Sequence, residues 1–174
     1  KILFCGIGDI GDAVMKLAVF KSISQTCPDC VISVIAGHWQ IPIFQRSQYI
    51  KNILHFEYPW GNLYAGSQRG FWGKTVFLFT SGLIQRCQRD NFNFGVTFSG
   101  SLFDQTLLWL SGIQQRSGYR QGRLAGLLTH QRVVNPNDRK TKIEEDMQLL
   151  SPFGMQGAYV LPEVSINEQD AKEA

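Results

Sequence analysis

A four-residue apolar run, Ile2 to Cys5, leads straight into Gly6-Ile7-Gly8-Asp9-Ile10-Gly11, and apolar residues then recur at helical spacing from about Asp12 to Gln25. Few folds accommodate that order. A short, continuous apolar run reads as a strand buried on both faces. Glycines at its end allow a tight turn, and a helix after the turn packs back over the strand. Pro28 and Asp29 end the helix, and Val31 to Ala36 reads as a second buried strand. Strand, helix and strand within about 36 residues is the size of a parallel crossover unit.

The alternation continues. The pattern predicts a short helix over Ile41 to Arg46, a strand over Asn52 to Phe56, and a glycine- and aromatic-rich loop from Pro59 to Gly73. Beyond it come a helix over Lys74 to Arg89, a strand over Phe94 to Phe98, and a helix over Leu102 to Leu110. A strand end at Arg116 to Tyr119 and a final helix over Lys142 to Phe153 complete the series. Strands alternating with helices predict an α/β fold with a Rossmann-like, doubly wound parallel sheet. The 174 residues suffice for one domain with a hydrophobic core. Hydrophobic residues at 44% and charged residues at 18% exclude a disordered chain. No apolar stretch approaches the roughly 20 residues that span a bilayer. A formal net charge of +3 permits an anionic partner but does not mark a nucleic-acid binder.

The glycine loop has two readings. Its letters fit G-x-G-x-x-G, the dinucleotide-binding turn. That turn wants a carboxylate at the end of the second strand for the ribose, and here the strand ends Ile35-Ala36-Gly37-His38. Asp9 and Asp12 at the helix start would also repel a pyrophosphate. In the other reading Asp12 works as a base. It falls in the first helical turn, at the carboxyl end of a parallel strand, where ligands of such sheets bind. A carboxylate there can accept a proton from a substrate hydroxyl. A plain helix cap explains the same aspartate, since Asp is favoured at caps.

Ile10-Gly11-Asp12, the apolar helix after it, and Cys27-Pro28-Asp29-Cys30-Val31-Ile32-Ser33-Val34-Ile35 together resemble the N-terminal domain of glycosyltransferase family nine, the lipopolysaccharide heptosyltransferases. Gln48 to Leu54, Phe92 to Ser101, Leu127 to His130 and Glu144 to Leu150 also resemble segments of that family, so the likeness runs along nearly the whole chain. Ala18 stands where the family usually has proline, Asp9 where serine is frequent, and Ser99 where glutamine is usual. The resemblance implies the N-terminal half of a GT-B glycosyltransferase, with two Rossmann-like domains facing across a cleft. Residues 1–163 would be the acceptor-binding domain. Residues 164–174 would begin the linker to a donor-binding domain beyond the chain. Asp12 would deprotonate an acceptor hydroxyl, which attacks a nucleotide sugar such as ADP-heptose with inversion. No metal or cofactor is implied. The implied location is the cytoplasm, peripheral at the cytosolic face of the inner membrane.

The loop residues Asp9, Ile10 and Gly11 and the strand-end residues Ser99 and Gly100 are expected to touch substrate. An anionic glycan or glycolipid acceptor calls for cations, and arginine grips carboxylate or phosphate with two parallel hydrogen bonds. Arg69, Arg120 and Arg123 are the chosen candidates, with Lys74, Arg116 and Arg132 behind them. Solvated surface charge accounts for the same residues. Trp60, Phe71 and Trp72 are read either as a membrane or glycolipid contact or as core. His130 is expected to make a structural hydrogen bond, and His38 and His55 carry no signal. Cys27 and Cys30 follow a helix and open a strand, the reverse of a redox C-x-x-C, and lack the second pair a zinc site needs. They are read as two loop cysteines in a reducing compartment, with no disulfide expected. A Rossmann-like nucleotide- or dinucleotide-binding module without glycosyl transfer remains the alternative.

Overall fold

The computed structural model describes residues 1–57, 79, 81–120, 125–134, 137–155, 157 and 160–164. Among them, six strands form one all-parallel sheet: β1 (Ile2–Cys5), β2 (Ile32–Ala36), β3 (Asn52–His55), β4 (Phe94–Thr97), β5 (Gln115–Tyr119) and β6 (His130–Arg132). Their order is β3-β2-β1-β4-β5-β6. The helices are α1 (Ile10–Thr26), α2 (Ile41–Gln45), α3 (Leu83–Asp90), α4 (Leu102–Leu110) and α5 (Lys142–Met147). The expected doubly wound parallel architecture is the one found.

Every residue of β1 is buried, because layers of helices cover both faces of the sheet. Ile2 and Phe4 point to one face and Leu3 and Cys5 to the other, the period-two alternation of a strand. On the first face Phe4 packs against Phe20 of α1 at 5.0 Å and Phe98 at 5.5 Å, and Phe20 meets Phe44 of α2 at 6.1 Å. On the second face Leu3 and Cys5 meet Leu83, Ile84 and Cys87 of α3 and Leu107 and Leu108 of α4. Each large side chain buried this way is worth about 2 kcal/mol. α1 is buried on more than one side. The sheet lies beneath it, α2 and α5 flank it, and the segment through Met155 and Val160 returns across it. At Gly157 a Cβ would strike the Ser22 hydroxyl.

Several expectations need correction. Cys27 and Cys30 are joined by a disulfide, with Cα atoms 5.4 Å apart. The turn responsible closes with the Cys30 amide donating to the Cys27 carbonyl at 3.0 Å, which brings the two side chains together. The final helix stops at Met147, and a 3-10 turn over Ser151–Phe153 follows. Pro152 has no N–H to continue the ladder. The helix expected over Lys74 to Arg89 is interrupted in its described part: Phe79 is helical, residues 81–82 bend with Gly82 at φ +71°, and α3 starts at Leu83; residues 74–78 and 80 lie outside the described set. β6 was not expected. Arg116, one of the candidate cations for the acceptor, sits near the start of β5, at the edge of the sheet away from the carboxyl ends of the strands.

Candidate functional site

In a sheet ordered this way, chain connections leave β1 and β4 in opposite directions. The crevice beyond their carboxyl ends is where α/β sheets of this kind bind ligands. A cavity of about 460 Å³ opens there. Gly6 lines it from the end of β1, Phe98 to Ser101 from the end of β4, Tyr119 and Arg120 from the end of β5, and Val133 and Val134 from beyond β6. Helix α1 contributes Asp12 and Lys16, and α5 contributes Lys142.

The turn out of β1 is fixed from two directions. Gly6 has φ +69°, and a Cβ on it would lie 2.7 Å from Thr97 Oγ1 and 2.8 Å from the Ser99 amide nitrogen. Only glycine lets β1 and β4 diverge at that spacing. From the other side the buried Gln40 clamps the loop. Its amide donates to the carbonyl of Ile7 at 3.0 Å and to that of Gly8, while its Oε1 accepts from the Gly37 amide at 3.0 Å. Both backbone carbonyls are thereby satisfied.

α1 therefore starts in a set place. Asp9 is the N-cap residue, but its side chain makes no capping bond. Asp12 is in the first turn, half-buried, and faces the cavity. A helix N-terminus favours negative charge at that point.

One turn further, Lys16 is only 2% exposed. Its ammonium bonds the carboxylate of Asp146, which is fully buried on α5. The Tyr119 hydroxyl donates to the other Asp146 oxygen at 2.7 Å, and Lys142 Nζ lies 3.1 Å from that same oxygen. Lys16 also lies over the Phe98 ring at 4.7 Å, and Lys142 over the Tyr119 ring at 4.1 Å. Donors on both oxygens are the pattern of an ionised carboxylate. Burial pulls the Lys16 ammonium below the usual lysine range, and the attraction of Asp146 opposes it. Burial, reinforced by the Asp146 charge, pushes the Tyr119 phenol far above its ordinary value.

Ser99 and Gly100 reach the cavity wall as expected, but the Ser99 hydroxyl is engaged. It donates to the buried Asp104 at 2.5 Å and accepts from the Ser101 amide at 3.1 Å. Arg120 is exposed at the wall. Asp9, Ile10 and Gly11 are exposed on the turn beside the cavity and do not line it. Arg69 and Arg123, with Lys74, Trp60, Phe71 and Trp72, lie outside the described residues, as do residues 165–174 of the expected linker. Arg116 is tied to backbone carbonyls, Leu127 at 2.6 Å among them, so it braces the amino end of β5 away from the cavity. Arg132 is half-buried in β6, and its Nε has no hydrogen bond among the described residues. His130 bonds Gln115 at 2.9 Å, the structural role expected of it. His38 and His55 both bond Glu57, at 3.0 and 2.7 Å. Partial burial works against the Glu57 carboxylate, but these bonds hold it below the usual range.

Sequence reasoning missed Gln40, Lys16, Tyr119, Asp146 and Lys142. Two of them left a trace. Lys16 interrupts an apolar helix four residues after Asp12, and Asp146 lies three residues after Ile143 on the face turned to the core.

A parallel sheet in the order 3-2-1-4-5-6, with its cavity at the switch point and a carboxylate on the first helix, defines a Rossmann-type ligand-binding unit. No family model matches the chain. The chain is 23% identical over 164 residues to lipopolysaccharide heptosyltransferase 2 of Escherichia coli strain K12, covering 94% of this chain and 44% of that protein. Among solved structures, the Escherichia coli ADP-heptose lipopolysaccharide heptosyltransferase II superposes with a TM-score of 0.75 at 18% identity, over 99% of this chain and 49% of its own. A family-nine glycosyltransferase from Veillonella parvula gives a TM-score of 0.72 at 11% identity, over 97% of this chain and 45% of its own. An Escherichia coli heptosyltransferase solved with ADP-2-deoxy-2-fluoro heptose gives 0.64 at 11% identity, over 98% of this chain and 52% of its own. The fold is thus one found in heptosyltransferases, and the likeness to family nine read from the sequence is borne out. The chain spans about half the length of the relatives it matches.

Proposed function

We propose that the chain is the acceptor-binding half of a family-nine glycosyltransferase, and that Asp12 is its catalytic base. The observation that carries this reading is the placement of Asp12. It is a half-buried carboxylate facing an open cavity at the switch point of the sheet, in a fold shared with heptosyltransferases. The acceptor glycan enters the cavity with one hydroxyl toward Asp12. Asp12 takes that proton as the oxygen attacks the anomeric carbon of the nucleotide sugar, and the nucleotide diphosphate leaves from the opposite face. The product is the inverted glycoside. ADP-heptose is the proposed donor, after the relatives' names, and it is held by a second domain. The acceptor is an anionic glycan or glycolipid of the lipopolysaccharide-core type, gripped by Arg120 and, in regions outside the described residues, by Arg69 and Arg123. Val133 and Val134, exposed at the cavity, offer an apolar edge that a lipid-linked glycan would meet. The proposed location is cytoplasmic, peripheral at the cytosolic face of the inner membrane. Among the described residues no helix is long and apolar enough to cross a membrane.

The test is transfer itself. The complete protein, given ADP-heptose and a heptose-deficient lipopolysaccharide core, should release ADP only when acceptor is present and should form a product of inverted configuration. This chain alone should not bind NAD tightly. Tight NAD binding, or ADP release indifferent to acceptor, would return the fold to the dinucleotide-binding reading.

A further inference from the structure

Two ammonium groups, Lys16 and Lys142, meet at one buried carboxylate, Asp146, in the wall of the cavity that holds Asp12. Lys142 Nζ also lies 3.9 Å from the Glu145 carboxylate, and Asp12 faces the same cavity, so both ammonium groups are held among carboxylates at that wall. Lysine at position 16 is an expensive choice for structure alone. Burying an ion pair costs several kcal/mol per ion in desolvation, and an apolar residue of similar volume would fill the same space. A buried apolar stem under a held ammonium makes sense where the charge has something to meet. Each ammonium has three N–H donors. Asp146 engages Lys16 through one carboxylate oxygen and Lys142 through the other, so both have donors left to offer the cavity. The Phe98 ring lies under the Lys16 ammonium at 4.7 Å and the Tyr119 ring under that of Lys142 at 4.1 Å.

We infer that Lys16 and Lys142, spaced by Asp146, form a seat for an oxyanion, a phosphate or carboxylate carried by the glycan that enters the cavity. Asp146 is the positioning residue: it holds both stems, and the Tyr119 hydroxyl holds it in turn at 2.7 Å. Asp12 and Lys16 stand four residues apart on one helix face, where side chains are neighbours at roughly 5–6 Å between Cβ atoms. The oxyanion and the hydroxyl facing Asp12 therefore belong to the same sugar unit. Arg120 at the cavity wall adds a third cation that can close over the group from the β5 side.

The inference rests on reading the cavity as the acceptor pocket, and its test needs no transfer reaction. The 174-residue chain is titrated by nuclear magnetic resonance with inorganic phosphate, glucuronate, glucose and ADP. Phosphate and glucuronate should shift the resonances of Gly100, Tyr119 and Lys142, and glucose should not. Lys142→Met should weaken both by on the order of tenfold, the worth of a charged hydrogen bond, and Lys142→Arg should recover most of the loss. Lys51→Met, an exposed lysine at the amino edge of the sheet, should leave binding unchanged. Lys16→Met tests the same seat but risks unfolding, so Lys142 carries the decision. ADP competing with phosphate at the same resonances, with the same Lys142 dependence, would keep the seat and identify its anion as the departing diphosphate. Binding indifferent to Lys142→Met, or equally weakened by Lys51→Met, would overturn the seat. A complete protein without transferase activity, whose chain still binds phosphate through Lys142, would instead overturn the acceptor-pocket reading and leave the seat standing.

Discussion

Gly6 carries a requirement no other residue type meets. Its φ of +69° costs an L-residue roughly 1–2 kcal/mol, and a Cβ would press within 2.7 Å of Thr97 Oγ1. Gly6→Ala should lower unfolding free energy by roughly 2 kcal/mol or more in urea titration, with the slope of the transition unchanged. Lys16 is a second such point. Removing Lys16 takes one of three donors from the buried Asp146, which keeps Tyr119 and Lys142, so the loss should fall below the roughly 3–5 kcal/mol of a stranded buried charge. Lys16→Met should still destabilise more than Lys21→Met, whose solvent-screened bridge to Glu163 at 2.5 Å contributes little. The glycine turn and Asp12 were legible in the sequence because local spacing announces a turn and a helix start. The pairing of Lys16 with Asp146 was not, because 130 residues separate them and only the packing of α5 on α1 brings them together. Ser99 shows the converse: the sequence found the right wall, but the side chain turns to Asp104 instead of the cavity.

At the scale of elements, β1 could be read as a continuous apolar run and β2 and β4 as near-continuous ones broken by Ser33 and Thr97, the composition that burial on both faces favours. β6 could not. It is His-Gln-Arg, three polar residues at the sheet edge, held by pairing with β5. The turn between α1 and β2 shows how local geometry overrides a residue pattern. Cys27 and Cys30 were read as separate thiols, and the turn's own hydrogen bond closes them into a disulfide. A bridge across so short a loop constrains the unfolded chain little, by about 2 kcal/mol. Reduction should lower the unfolding free energy by about that much in urea titration. Phosphate binding should not change, because the turn lies at the edge of the sheet opposite the cavity.

The whole molecule has an alkaline limit. Burial pushes the Cys87 thiol up to about 11, and burial together with the Asp104 charge pushes the Cys5 thiol well above its ordinary value. Tyr119 is raised as well. A raised folded value means the native state keeps protons that the unfolded chain gives up. Stability from these groups is complete below the unfolded thiol value of about 8.5 and is lost as pH rises toward 11. Thermal midpoints should therefore decline from about pH 8.5 upward, and Cys87→Ala should flatten the first part of that decline.

The switch point concentrates the functional groups because strands that end together bring distant residues to one edge. The proposed transfer accordingly depends on a single carboxylate, that of Asp12. Turnover of ADP-heptose with acceptor should be measured in the complete protein and in its Asp12→Asn variant, at equal fold stability. Loss of at least about 10²-fold in kcat, with acceptor binding retained, is the predicted result. Turnover within a few-fold of the unaltered protein would contradict it.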